Sequence, residues 1–85
     1  MTQVSLRYFA GVADAAGCRE ESIEVPEGAT VAEMCRSLSA VHGPEFARIV
    51  AVSALLIDGA RANETAPVPV RDGLVVDVLP PFAGG

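Results

Sequence analysis

Three side chains of this sequence belong to the types that usually carry nucleophilic or metal chemistry: His42, Cys18 and Cys35. A nucleophile needs a base within hydrogen-bond reach, and a zinc site needs Cys and His at short spacings. Neither requirement is met, because there is no Cys-x-x-Cys pair and no cluster with zinc spacing. Cys35 falls on the apolar face of a predicted helix, where core packing is expected, and Cys18 falls in a loop. His42 lies at the C-terminal end of that helix, where a histidine interacts favourably with the helix dipole. We therefore predict no metal site and no self-contained active site before the C-terminal tail.

The tail carries a reactive group of another kind. Its residues, which we predict to form the functional site, are Pro80, Pro81, Phe82, Ala83, Gly84 and Gly85. The two prolines cannot continue a sheet ladder and favour an extended path away from the last strand. Phe82 supplies one apolar anchor. The residues after it present a slim backbone that can enter a narrow channel, where larger side chains would clash.

The chemical group at the tip is the terminal carboxylate of Gly85. It is ionised at neutral pH, since its reference pKa is about 3.3–3.7. A carboxylate is a poor acyl donor, but it becomes reactive when another protein adenylates it. The tail therefore predicts a substrate-like carrier that is activated in the active site of a partner.

The rest of the chain predicts one α+β domain, with residues 1–79 folded and residues 80–85 as an extended tail. Alternating apolar residues predict strands at 4–8 and 21–25, and the Ala-rich stretch 10–17 predicts a short helical turn. A capping box at Thr30 and Glu33 opens the main helix, whose apolar face comprises Val31, Met34, Cys35, Leu38 and Val41. Residues 44–50 predict a further turn of helix. Strands follow at about 53–57 and 74–79, separated by a hairpin and a short edge strand, and the last strand is predicted to be central.

Composition limits the classes of partner. The chain of 85 residues has 11 acidic residues against 6 arginines, a net charge of −5, and no lysine. This disfavours nucleic acid, which needs clustered basic residues, and suits a basic protein partner. No signal peptide and no run long enough for a membrane span are visible, so we expect no membrane association and a cytoplasmic location.

Two stretches, LRYFAGVADAAG at 6–17 and VLPPFAGG at 78–85, resemble the MoaD/ThiS family of ubiquitin-like sulfur carriers. The resemblance extends over nearly the full length, and its most specific part is the Pro-Pro-x-x-Gly-Gly terminus. It favours the MoaD branch, the small subunits of molybdopterin synthase. It implies a β-grasp fold, with a mixed sheet of about four or five strands on one main helix.

The resemblance also implies a function. Gly85 would be adenylated by a MoeB-type, E1-like enzyme that uses ATP, and a sulfur donor protein would convert it to a thiocarboxylate. The sulfurated tail would then enter a MoaE-type large subunit and donate sulfur to cyclic pyranopterin monophosphate. No cofactor would be bound by this chain, which would act as the sulfur-donating subunit of a synthase.

Three alternatives remain open. The chain could be a sulfur carrier of another pathway, such as thiazole or cysteine synthesis, because these carriers share the Gly-Gly tip. It could be a ubiquitin-like modifier that is attached to other proteins through Gly85, although without lysine it could not build lysine-linked chains on itself. It could also be a β-grasp interaction module with an inert tail.

Overall fold

The computed structural model describes residues 1–81, which form five strands and three helices. In chain order these elements are β1 (Thr2–Tyr8), α1 (Gly11–Ala16), β2 (Glu20–Val25), α2 (Val31–His42), α3 (Pro44–Ala51), β3 (Ala54–Ile57), β4 (Ala60–Arg61) and β5 (Leu74–Leu79).

The strands form one mixed sheet in the order β2-β1-β5-β3-β4. β5 runs parallel to β1 and antiparallel to β3, so the last strand of the chain lies in the middle of the sheet. The apolar residues on both faces of this strand predicted its central position, and the structure confirms it. A mixed sheet of five strands that packs its helices on one face is the predicted β-grasp architecture.

Alternation along the strands builds the core. In β1 every second residue is buried, and in β5 the buried residues are Leu74, Val76 and Val78. Their side chains all point towards the helices, because successive residues of a strand face opposite sides of the sheet. Helix α2 contributes Val31, Met34 and Leu38, each at most 2% exposed. The face of the sheet that packs against the helices is therefore buried, and the opposite face, called the open face below, is accessible to solvent.

Local signals fixed the start of α2. The Thr30 hydroxyl accepts a hydrogen bond from the Glu33 backbone N–H at 3.2 Å, and the Glu33 carboxylate accepts one from the Thr30 N–H at 2.9 Å. This is the predicted capping box. The helix ends at His42, and Gly43 follows with a φ of 100°, which favours glycine.

Helix α3 is longer than the single turn that we predicted. It spans eight residues, with Pro44 in its first turn, where the missing N–H of proline costs no hydrogen bond. Phe46 is fully buried and Val50 nearly so. This helix ends at Ala51, and strand β3 begins at Ala54, close to the predicted start at about residue 53.

The apolar face predicted for α2 was wrong at one position. Val41 is 75% exposed, whereas Cys35 is partly buried and packs against the core as predicted. Helix α3 packs beside the last turn of α2, and Phe46 fills the core there. Val41 is not covered by this packing, and helical spacing alone could not reveal its exposure.

Candidate functional site

The predicted tail begins where β5 ends, at Leu79. Pro80 is half-buried at this point and Pro81 is exposed. The roles predicted for Phe82, Ala83, Gly84 and Gly85 concern residues outside the described part of the chain. The division into a domain of residues 1–79 and a tail of residues 80–85 likewise remains a prediction.

Phe9 lies beside the point where the tail begins. Its backbone N–H donates a hydrogen bond to the carbonyl oxygen of Val78 at 3.3 Å, and 41% of the residue is exposed. The next residue, Ala10, has a φ of 50°, in the region that favours glycine, and the backbone turns there into α1. An exposed aromatic ring thus stands next to the end of β5. Sequence reasoning used Phe9 only as part of a family-like stretch and gave it no role.

The open face of the sheet carries a bidentate ion pair. The Arg7 Nε lies 2.6 Å from the Asp77 Oδ1, and a second guanidinium nitrogen lies 3.0 Å from the Oδ2. The Asp77 carboxylate stabilises the cation and raises the pKa of Arg7. Val75 and Leu79, which share this face by alternation, are half-buried. The result is a partly apolar surface around one ion pair. The alternation of apolar and polar residues in β1 and β5 indicated which side chains lie on the open face. The pairing of β1 with β5 was needed to bring Arg7 and Asp77 together.

His42 belongs to a different cluster, on the helix side of the sheet. Its ring contacts the Glu21 carboxylate through Nε2, and the Tyr8 hydroxyl donates a hydrogen bond to the same carboxylate at 2.5 Å. The ring also packs at centroid distances of 6.1 Å from Tyr8 and 4.8 Å from Phe46. Burial and the Glu21 carboxylate together raise the pKa of Tyr8.

The side chains of this cluster interact with one another and are hardly accessible to a substrate. The His42 side chain is only 11% exposed, and its partner, Glu21, is 21 residues away in sequence. His42 lies in the last turn of α2, as predicted, and its ring also joins α2 to β2 through Glu21. No local pattern marks Glu21 as its partner, because that contact is made only in the folded chain.

The two cysteines lie apart from any activating group. Both are free and partly buried, and both pack against the core. Burial raises the pKa of Cys35 to about 11, and burial also raises that of Cys18. A raised pKa lowers the thiolate fraction, which is the nucleophilic form. Neither thiol is prepared for attack at neutral pH.

Residues 1–81 contain neither a cluster suited to a metal ion nor a helix suited to a membrane. No group of three or more His, Cys, Asp or Glu side chains is arranged to hold a metal ion there. In the same residues no helix combines the length and the apolar character needed to cross a membrane. What the described residues present at the end of β5 is a partly apolar surface that includes exposed Phe9.

Comparison with known proteins identifies the family. The model of the ThiS family matches residues 6–85. A molybdopterin synthase sulfur carrier subunit from Chlamydomonas reinhardtii is 24% identical over 83 residues, which cover 98% of this chain and 99% of the relative. The solved structure of a putative molybdopterin converting factor, subunit 1, from Pyrococcus furiosus is 30% identical. It covers 96% of this chain and 100% of its own, with a TM-score of 0.82.

Two more distant structures share the fold. The small archaeal modifier protein 1 from Haloferax volcanii is 24% identical, with 98% of this chain and 99% of its own covered and a TM-score of 0.81. A chain in the complex of molybdopterin-converting factor subunits 1 and 2 from Helicobacter pylori is 21% identical, with 99% of this chain and 100% of its own covered and a TM-score of 0.65. With the family model matched along nearly its whole length, this chain belongs to the ThiS/MoaD family of ubiquitin-like sulfur carriers.

Proposed function

We propose that this chain is the sulfur-carrier subunit of a molybdopterin synthase, and that its reactive group is the C-terminal carboxylate of Gly85. The observation that carries the proposal is the sequence Pro-Pro-Phe-Ala-Gly-Gly, which follows directly on the central strand β5. The name of the Chlamydomonas relative, which is matched over nearly the full length of both chains, supports this branch of the family.

Activation takes place in a partner, because the described residues provide no base, metal or activated nucleophile for it. An E1-like enzyme of the MoeB type uses ATP to convert the Gly85 carboxylate to an acyl-adenylate, and pyrophosphate leaves. Sulfide-level sulfur (HS⁻), supplied by a sulfur donor protein, then attacks the acyl carbon and displaces AMP to give the thiocarboxylate. The slim Ala-Gly-Gly end suits this chemistry, since the same carboxylate must reach two active sites in turn.

The second active site belongs to a MoaE-type large subunit, where the thiocarboxylate donates sulfur to cyclic pyranopterin monophosphate. The complex of subunits 1 and 2 from Helicobacter pylori supports a partner of this kind. Exposed Phe9 and the half-buried Val75 and Leu79 give the large subunit an apolar surface beside the tail. The net charge of −5 steers the encounter if that surface of the partner is basic.

A second candidate is a ubiquitin-like modifier, favoured by the fold shared with the small archaeal modifier protein 1. The same activated Gly85 would then form an amide with a lysine of another protein. This candidate shares the adenylation step and differs in the acceptor, an amine rather than a pterin. The acceptor therefore decides between the two.

The test is transfer from the thiocarboxylated chain to defined acceptors. The chain is incubated with a MoaE-type subunit and cyclic pyranopterin monophosphate, and molybdopterin is measured by mass spectrometry. The matched control is the chain that lacks Gly85. We expect molybdopterin from the parent only. Sulfur transfer to a thiazole or cysteine synthase but not to the pterin would assign another pathway, and a ladder of conjugates in cell extract would assign the modifier.

A further inference from the structure

Strand β2 forms an edge of the sheet, and its outward side is available for pairing. The sheet order places β2 at one end, with β1 as its only neighbouring strand among residues 1–81. The Tyr8 N–H donates to the Arg19 carbonyl oxygen at 2.8 Å, which marks this opposed pair as hydrogen-bonded. Because such pairs alternate along an antiparallel ladder, the backbone groups of Glu20, Ser22 and Glu24 point away from β1.

The side chains of the same three residues are exposed and mostly acidic. Glu20 and Glu24 flank Ser22 on the open face of the sheet, and Glu27 follows in the next turn. Arg19 precedes the strand and Arg36 borders it from α2. The centre of the edge is therefore negative, and it favours a basic strand over an acidic one.

A groove lies beside this edge on the helix side. It has a volume of about 550 Å³ and runs between the C-terminal end of β2 and helix α2. Val25, Pro26, Ala29, Met34 and Ala40 contribute apolar lining. Ile23, on the helix side of β2, is only partly buried. Apolar side chains of an added strand would cover Ile23 and enter this groove.

We propose that the β2 edge binds an extended basic segment of a partner protein by strand addition. Outward backbone groups supply the hydrogen bonds, and the groove selects side chains at alternate positions. The strand that fits has basic residues at its first and fifth positions, opposite Glu20 and Glu24. Its second and fourth positions are apolar and lie on the helix side, opposite Glu21 and Ile23, and the one opposite Ile23 is nearer the groove.

The charges also argue against a second copy of this chain as the occupant. Antiparallel self-pairing centred on Ser22 would place Glu20 of one copy opposite Glu24 of the other. Like charges directly opposite each other destabilise a strand pair. Acidic side chains on an exposed edge thus protect the protein from association with itself.

This surface is distinct from the tail. The parallel register of β1 with β5 pairs Tyr8 with Val78, so the tail begins at that end of the sheet. The antiparallel register of β1 with β2 pairs Thr2 with Val25, so the groove lies at the opposite end. Strand addition is therefore compatible with activation of Gly85, and the proposal does not depend on which acceptor the tail serves.

The experiment uses the full chain and a synthetic peptide with blocked termini and the central sequence Arg-Val-Thr-Val-Arg. Binding is measured by calorimetry and mapped by NMR. The matched peptide has Glu in place of both Arg residues. We expect binding of the basic peptide, with protection from hydrogen exchange gained at the amides of residues 20, 22 and 24. No binding, equal binding of the acidic peptide, or shifts confined to other residues would overturn the proposal.

Substitutions at one position separate strand addition from general charge attraction. Ser22→Pro removes an outward N–H and leaves every charge in place. Proline is tolerated at an edge position whose N–H faces solvent, because no hydrogen bond of the sheet is lost there. The lost hydrogen bond, worth about 1 kcal/mol net, is expected to weaken binding about fivefold, and the proline ring adds to this loss. Ser22→Ala keeps the N–H and should bind like the parent. Equal binding by folded Ser22→Pro would overturn the proposal.

If Ser22→Pro does not fold, exchanging the charges on the strand edge provides a second test. Glu20→Arg with Glu24→Arg should lose the basic peptide and gain the acidic one. Analytical ultracentrifugation of the parent tests whether a second copy of this chain occupies the edge instead. A dimer that Glu20→Arg with Glu24→Arg alters would assign the edge to a second copy and contradict the proposal.

Discussion

Residues 1–79 and the predicted tail of residues 80–85 differ in the polar groups that they carry. Within residues 1–81, the groups that could react are engaged in structure: Tyr8 and His42 share Glu21, and Cys35 packs against the core. The tail sequence carries one reactive group, the terminal carboxylate, and no ionisable side chain. The contrast indicates that stability and chemistry are separable by mutation. Substitutions in the body should change the free energy of unfolding and leave sulfur loading intact, and changes at the tip should do the reverse.

The largest effect on stability is expected from Phe46→Ala. Phe46 is fully buried and lies with its ring centroid 5.5 Å from that of Tyr8. Removing such a ring costs about 3–5 kcal/mol of unfolding free energy, a large part of the stability of a small domain. Urea denaturation measures the loss. The matched control is Val41→Ala, at a position 75% exposed, which should change stability by less than about 0.5 kcal/mol. Similar losses for the two variants would contradict the account of the core.

A smaller effect is expected from removing both thiols. Cys35→Ala should lower the free energy of unfolding by about 1 kcal/mol through lost packing, and Cys18→Ser should add little. The folded double variant should still accept sulfur at Gly85 and transfer it, because no described group activates either thiol. Transfer is measured with purified partners. If transfer were lost entirely while circular dichroism showed a folded protein, a cysteine would be part of the chemistry.

The same thiol predicts a loss of stability at alkaline pH. The pKa of Cys35 is about 11 in the folded protein against 9.0 without the fold, so the folded state retains its proton longer. This contribution to stability is complete below pH 9 and disappears as the pH rises towards 11. Tyr8, whose pKa is also raised, acts in the same direction above pH 10. Denaturation between pH 8 and 10 should show a decline that Cys35→Ala reduces. An equal decline in parent and variant would exclude Cys35 as its source.

The weakest effect expected concerns association with the large subunit. An acidic chain should bind a basic partner faster at low salt, with little change in the rate of dissociation. Surface plasmon resonance at several salt concentrations gives both rates. The apolar half of the contact is tested by Phe9→Ala, which should mainly increase the rate of dissociation. An association rate independent of salt would remove the electrostatic part.

Local signals predicted more of this fold than of its contacts. The capping box at Thr30 and Glu33 lies within four residues, and apolar residues on both faces marked β5 as central, so both were readable from the sequence. The contact of His42 with Glu21 and the pairing of Arg7 with Asp77 join residues that are distant along the chain. No periodicity encodes such pairs. The exposure of Val41 was missed for a related reason, because helical spacing does not show which elements pack against α2.

The candidate site also has a part that could be predicted from the sequence and a part that could not. The tail was singled out because its residue types are unusual together, which needs no knowledge of the fold. Phe9 and the open face beside Asp77 became candidates only when β5 was seen to lie next to β1. The β2 edge required the hydrogen-bond register as well. Surfaces made by several strands could not be predicted before the order of those strands was known.

The central claim, that Gly85 carries the sulfur, is tested most directly by intact mass spectrometry. The parent and a variant without Gly85 are each incubated with the E1-like enzyme, ATP and a sulfur donor, and circular dichroism confirms the fold. Deletion moves the carboxylate by up to about 3.6 Å, whereas reacting atoms must approach to about 3–3.5 Å. The account predicts one oxygen replaced by sulfur in the parent and no change in the variant. Equal sulfur loading of a folded variant without Gly85 would contradict it.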